Sequence, residues 1–134
     1  MKDRPFIDSN VVLYLLDLNG SNKKEIASSL ILDLPFISPQ VVFECLNVCL
    51  RKLKMDRTSS TRFLNELIAS TFMQDETEQV VNSALRIFNR YFLQPFDSKI
   101  IASALEASCN ILYSEDMQHG LVIDDRLTII NPFL

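Results

Sequence analysis

The sequence predicts an α/β domain, a mostly parallel β-sheet with helices packed on it. Three observations carry that reading. Short apolar runs of strand length recur at residues 5–7, 34–37, 110–113 and 127–130. Amphipathic segments of helical spacing alternate with them, the pattern of strand–helix–strand units. There is no internal repeat and no long linker, so residues 1–134 are expected to form one domain.

The first strand, Pro5-Phe6-Ile7, stops at Asp8, and Asp8 or Ser9 is a fitting N-cap for a helix through Val11, Val12, Leu13, Leu15 and Leu16. A turn cluster, Asn19-Gly20-Ser21-Asn22, separates it from a helix over 23–32. After the second strand, Ser38-Pro39 marks a helix start, with Ser as cap and Pro at the first helical position, where its missing N–H costs nothing. That helix is expected to reach Lys54 with a wide apolar stripe. Residues 58–72 and 77–92 read as two more amphipathic helices. Pro95 breaks the pattern, and Asp97 is expected to open an Ala-rich helix to about Ser108. A strand at 110–113 leads to Ser114-Glu115-Asp116, then a short helical turn over 117–120, and Leu127–Ile130 is the last strand.

Composition sets limits. Of 134 residues 48% are hydrophobic, with only 2 Gly and 5 Pro, so the chain can build a core and is not low-complexity. The net charge of −4 argues against a uniformly basic protein. It leaves room for a nucleic-acid enzyme whose carboxylates are offset by bound cations. Basic residues cluster at Arg51, Lys52, Lys54 and Arg57, with Arg86 and Arg90 one helical turn apart. Each group is a solvated helix face or a strip of phosphate contacts. Cys45, Cys49 and Cys109 are odd in number, which suggests a reducing cytoplasm, and Cys45 and Cys49, one helical turn apart in an apolar pattern, read as small buried hydrophobes. A zinc site would need more ligands than these thiols and the single histidine, His119, which is expected in a turn or at the surface. No apolar stretch reaches membrane length, and no signal-like segment is visible, so a soluble cytoplasmic protein is expected.

Four carboxylates stand out. Ligand sites in open parallel sheets form beyond the carboxyl ends of strands. Asp8 and Asp116 each follow a strand, Asp97 starts a helix beside the sheet, and Glu44 sits within an apolar helix among Val41, Val42, Phe43, Cys45 and Leu46. Taken singly, Asp8 and Asp97 could be helix caps, Glu44 an edge residue and Asp116 a turn residue. Together they offer oxygen ligands to a hard divalent cation such as Mg²⁺ or Mn²⁺, which can activate water and neutralise phosphate charge. That chemistry needs no His or Cys.

The motifs around these acids resemble the PIN-domain family, and within it the VapC-like toxins. Phe6-Ile7-Asp8-Ser9-Asn10-Val11-Val12 is similar to the opening apolar strand, Asp, Ser/Thr, Asn and helix. Ile37-Ser38-Pro39-Gln40-Val41-Val42-Phe43-Glu44, Phe96-Asp97-Ser98-Lys99-Ile100-Ile101-Ala102 and Ile111-Leu112-Tyr113-Ser114-Glu115-Asp116 resemble the next three in order. Ile129-Ile130-Asn131-Pro132-Phe133 resembles a frequent ending of the family. The resemblance implies a PIN fold and Mg²⁺- or Mn²⁺-dependent endoribonuclease activity. It further implies a homodimer, and silencing by a cognate antitoxin. Carried over by position, Asp8, Glu44, Asp97 and Asp116 hold metal, Ser114 orients the site and Asn10 supports Asp8. Ser9 stands where Thr is commoner, which keeps the hydroxyl. Glu115 is expected to point away from Asp116. Two other readings compete: a non-catalytic RNA-binding module of an RNA-processing complex, and a different metal-dependent phosphotransfer enzyme.

Overall fold

The computed structural model describes residues 3–134. Strand β1 (Phe6–Ile7) leads into α1 (Ser9–Val12), which continues as a 3₁₀ turn over Leu13–Leu16. Then follow α2 (Lys23–Ile31), β2 (Phe36–Ile37), α3 (Pro39–Arg51), α4 (Arg57–Ala69) and β3 (Phe72–Met73). The chain finishes with α5 (Glu78–Tyr91), α6 (Pro95–Glu106), β4 (Ile111–Tyr113), β5 (Val122–Ile123) and β6 (Leu127–Ile130).

The six strands lie in the order β3-β2-β1-β4-β6-β5, and every pairing is parallel except β5 with β6. This is the α/β fold expected, with helices flanking a mostly parallel sheet. From β1 the chain builds outward through β2 and β3, then returns to β1's other side as β4. The order therefore reverses between β1 and β4, which opens a crevice at their carboxyl ends.

Burial follows from that layout. Phe6, Ile7, Leu112, Leu127 and Ile129 are fully buried, as central strands covered on both faces must be. In α6, Ile100, Ile101, Ala102 and Ala104 are buried, and the two alanines let the helix backbone come close to its neighbours. Buried residues from Phe6 to Ile129 form one continuous apolar cluster. All three cysteines are free and buried, and burial pushes their thiols above the usual range. They are inert hydrophobes here. Among the described residues no helix is long and apolar enough to cross a membrane.

Several expectations needed correction. Helix α6 begins at Pro95 with Gln94 as its N-cap, so Asp97 lies in the first turn and caps nothing. Helix α4 starts at Arg57 because the Asp56 carboxylate accepts from the Ser59 N–H at 2.6 Å. It ends at Ala69, and Phe72, expected at its tail, belongs to the edge strand β3. Residues 117–120 form bends and a turn and not a helical turn; Gly120 closes it with a φ of +87°. Strand β5 was not foreseen. Its hairpin turn places both Asp124 and Asp125 at positive φ, where Asn-Gly would be the recognisable signal. Arg86 holds that turn through two contacts to Asp124 at 3.2 and 2.6 Å, and Tyr91 supports it.

Candidate functional site

Asp8 is the residue on which the site is built. It ends the central strand and caps α1, its Oδ1 accepting from the Ser9 N–H at 2.8 Å. The other oxygen, Oδ2, accepts from Ser114 Oγ at 2.9 Å and from Asn10 Nδ2 at 3.2 Å. Asn10 is fixed in turn, because its Oδ1 accepts from the Glu115 N–H at 2.9 Å. The cap reading and the site reading of Asp8 therefore describe one geometry. Its side chain is only 4% exposed, and burial, with Glu44 and Asp97 adding to it, pushes the carboxyl from 3.8 up to about 6.

Glu44 stands in α3, one turn beyond Gln40, and is half-buried. Its carboxylate accepts from Ser9 Oγ at 3.0 Å and from Gln40 Nε2 at 3.3 Å. Asp97, in the first turn of α6, is half-buried as well; burial first, then Glu44 and Asp116, raise its carboxyl. Asp116 is exposed in the bend after β4. The fold thus gathers four acids from four separate segments at the crevice. None forms an ion pair with a cationic side chain among the described residues. Glu115 accepts from Tyr14 Oη at 2.7 Å and pairs with Lys23 at 2.8 Å; the segment bends there and does not run extended, and Glu115 lines the same cleft as Asp116.

The donor set is all oxygen, which suits Mg²⁺ or Mn²⁺ in kind. Burial does most to raise Asp8 and Asp97, and the smaller repulsion that neighbouring acids add is what a bound cation would relieve. Among the described residues no three His, Cys, Asp or Glu side chains already converge as a metal-binding group. Closing the set round an ion would take side-chain rotation at the more exposed acids.

Two neighbours, Glu76 and Lys99, are given no role in the sequence reading. Ser38 sits at the α3 cap position but makes no side-chain cap bond, and Glu76 Oε2 accepts from the Gln40 N–H at 2.9 Å instead. Lys99 pairs with Glu76 at 3.4 Å. Of the basic cluster, Lys52 lines the same cleft as Asn10 and Asp116. His119 is an exposed turn residue whose Nδ1 accepts from the Asn131 N–H.

The sequence model of the PIN domain matches residues 6–120, a span that holds all four acids. The chain belongs to the PIN-domain family. No curated protein matches it in sequence. Among solved structures, a toxin–antitoxin complex from Klebsiella pneumoniae aligns with a TM-score of 0.68 at 14% identity, over 96% of this chain and 97% of that one. VapC20 of Mycobacterium tuberculosis, a sarcin–ricin-loop-cleaving toxin, aligns with a TM-score of 0.67 at 14% identity, over 84% and 89% of the two chains. FitAcB from Neisseria gonorrhoeae gives a TM-score of 0.67 at 17% identity, over 96% and 98%. At these identities the likeness is one of fold.

The raised Asp8 carboxyl makes the stability of this PIN domain depend on pH. An acid with a higher pKa folded than unfolded holds its proton more tightly in the native state. Its contribution favours folding below about 4 and is lost as pH rises through about 6. In EDTA, stability measured by urea unfolding should therefore shift in favour of Asp8→Asn, relative to wild type, between pH 4 and pH 7. The expected shift is on the order of 1–3 kcal/mol. The offset at any single pH also contains a hydrogen bond that the amide cannot accept from Asn10; the change with pH does not. A pH-independent difference would mean that Asp8 is not a strained carboxylate.

Proposed function

We propose that this PIN domain is a metal-dependent endoribonuclease, the toxin half of a toxin–antitoxin pair. One observation carries the reading: four carboxylates from distant segments lie near the strand-order reversal, close enough for neighbouring acids to raise Asp8 and Asp97, and none of the four forms an ion pair among the described residues. Structural neighbours that are a toxin–antitoxin complex and an RNA-cleaving toxin support it.

In this reading Asp8, Glu44, Asp97 and Asp116 hold Mg²⁺ or Mn²⁺. A bound ion supplies positive charge at the phosphate and makes a water easier to deprotonate. The chain's own residues set the geometry. Ser114 and Asn10 aim Asp8, and Ser9 and Gln40 aim Glu44, so the two least mobile acids are held from separate elements. Lys52, beside Asp116, offers a cation to the RNA backbone. A cognate antitoxin would silence the site by laying a basic side chain among the same acids, best an arginine, whose planar fork bridges carboxylates. Three free thiols suit the cytoplasm.

A homodimer belongs to the same proposal. Helix α5 exposes Val81, Leu85 and Phe88, and Phe92 just past its end is 92% exposed. The spacing of 4 and 3 residues puts the first three on one apolar stripe, the kind of surface that a second copy can cover. Sedimentation at tens of micromolar should show a dimer, and Leu85→Glu should shift it to monomer. A wild-type monomer throughout would remove the dimer from the account.

Labelled RNA incubated with the purified protein should be cut in Mn²⁺ and left intact in excess EDTA. Asp8→Asn and Asp97→Asn should each lower the rate by roughly 10²-fold or more without unfolding the domain. Ser114→Ala, which removes a donor to Asp8 and no carboxylate, should cost about 10-fold. Undiminished cleavage in EDTA, or wild-type rates in either Asn variant, would contradict the proposed mechanism.

A further inference from the structure

A second cleft of about 500 Å³ shares Glu44 with the carboxylate set, and two phenylalanines give it its character. Phe43 on α3 and Phe96 in the first turn of α6 both line it, and they are 65% and 64% exposed. Each directly precedes one of the site acids, Glu44 and Asp97. One exposed phenylalanine is ordinary; two on the walls of one concave surface are not.

The rest of the lining is polar and specific. Gln40 and Asn47 bring side-chain amides. Gln40 Nε2 already donates to Glu44 Oε2 at 3.3 Å and to the Phe96 carbonyl at 3.2 Å. Turning the amide over would set an oxygen against two acceptors, so its orientation is fixed. Gln40 Oε1 is thereby left as a buried acceptor with no partner among the described residues. Lys99 Nζ lies 5.4 Å from the centre of the Phe96 ring and pairs at 3.4 Å with Glu76, which lines the cleft as well, so the wall carries a cation held by both.

Aromatic faces, amide hydrogen-bonding groups and a cation suit one kind of guest: a planar base with polar edges, attached to phosphate. We infer that the Phe43–Phe96 cleft is a nucleobase subsite, taking an unpaired base of the RNA next to the scissile phosphate. The inference rests on the nuclease reading and adds how the substrate is gripped. It selects single-stranded RNA, because a base must leave its helix to stack there. The volume is right for one nucleotide and small for a folded partner.

The test uses the full chain and an oligoribonucleotide spanning a cleavage site mapped in total RNA. Phe43→Ala and Phe96→Ala should each raise KM by about 5- to 100-fold, the range for losing one stacked base. Phe43→Tyr, which keeps a ring, should stay close to wild type. An abasic nucleotide is placed in turn at each position beside the cut. At one position it should weaken wild type by a similar factor and erase the difference between wild type and the alanine variants. Folded alanine variants with unchanged KM would overturn the subsite while the nuclease stands. Should an alanine variant fail to fold, the abasic series on wild type still decides, and tolerance at every position would overturn it. A change in sedimenting mass in Phe96→Ala, with KM unaffected, would give the cleft to a second copy. Failure of wild type to bind or cut any RNA in Mn²⁺ would take down the nuclease reading and the subsite together.

Discussion

Everything at the functional edge of this fold depends on how one carboxylate, Asp8, is kept at the end of the central strand. It is buried, it has no cationic partner among the described residues, and two other acids press on it. A lone buried charge would be too costly to keep. Three donors make it tolerable, and each comes from a different kind of structure: the Ser9 backbone at the start of α1, the Asn10 side chain, and Ser114 after β4. Satisfying Asp8 therefore also ties the first strand–helix junction to a loop more than one hundred residues away. The same bonds hold the rim of the crevice in shape.

The other acids show a graded version of that constraint. Glu44 has two side-chain donors, while Asp97 sits half-buried near a helix N-terminus, where the peptide dipoles favour a negative charge. Asp116 is exposed and free to turn. Rigidity thus falls from Asp8 to Asp116. An arrangement with two aimed ligands and two adjustable ones can accept an ion without a finished cage before the ion arrives. Beside it, Glu76 takes over capping of α3 from Ser38 and pairs with Lys99.

Much of this was legible in the chain. The alternation of apolar runs and amphipathic segments predicts the layered fold, and Ser38-Pro39 and Thr77 mark helix starts that the structure has. Asp8, Glu44 and Asp116 could be paired with their segments because each lies at a strand end or in a helix that follows one, whereas Asp97 lies in a helix that follows another helix. What stayed hidden was set by distant partners. Strand β3 is an edge strand whose two residues are both exposed, so it lacks the buried apolar run that marks β1 and β2, and the turn beside β5 is held by Arg86 and Tyr91 from α5. Asp97 looked like a cap, but Pro95 can open a helix two residues earlier. Glu76 and Lys99 carry no local signal, since their meaning comes from Gln40, which lies 36 residues before Glu76.

The central claim is that the four acids form one electrostatic unit that a divalent ion completes. Melting curves of wild type and Asp97→Asn, in EDTA and in Mn²⁺, test it most directly. The account predicts that Mn²⁺ stabilises wild type, by about 2.7 kcal/mol at 100 times its dissociation constant. It also predicts that the metal-free variant is more stable than metal-free wild type, since a repelled charge is gone, and that it gains less from Mn²⁺, since a ligand is gone too. No Mn²⁺ shift in wild type, or a variant destabilised in EDTA, would show that these acids do not act as one site.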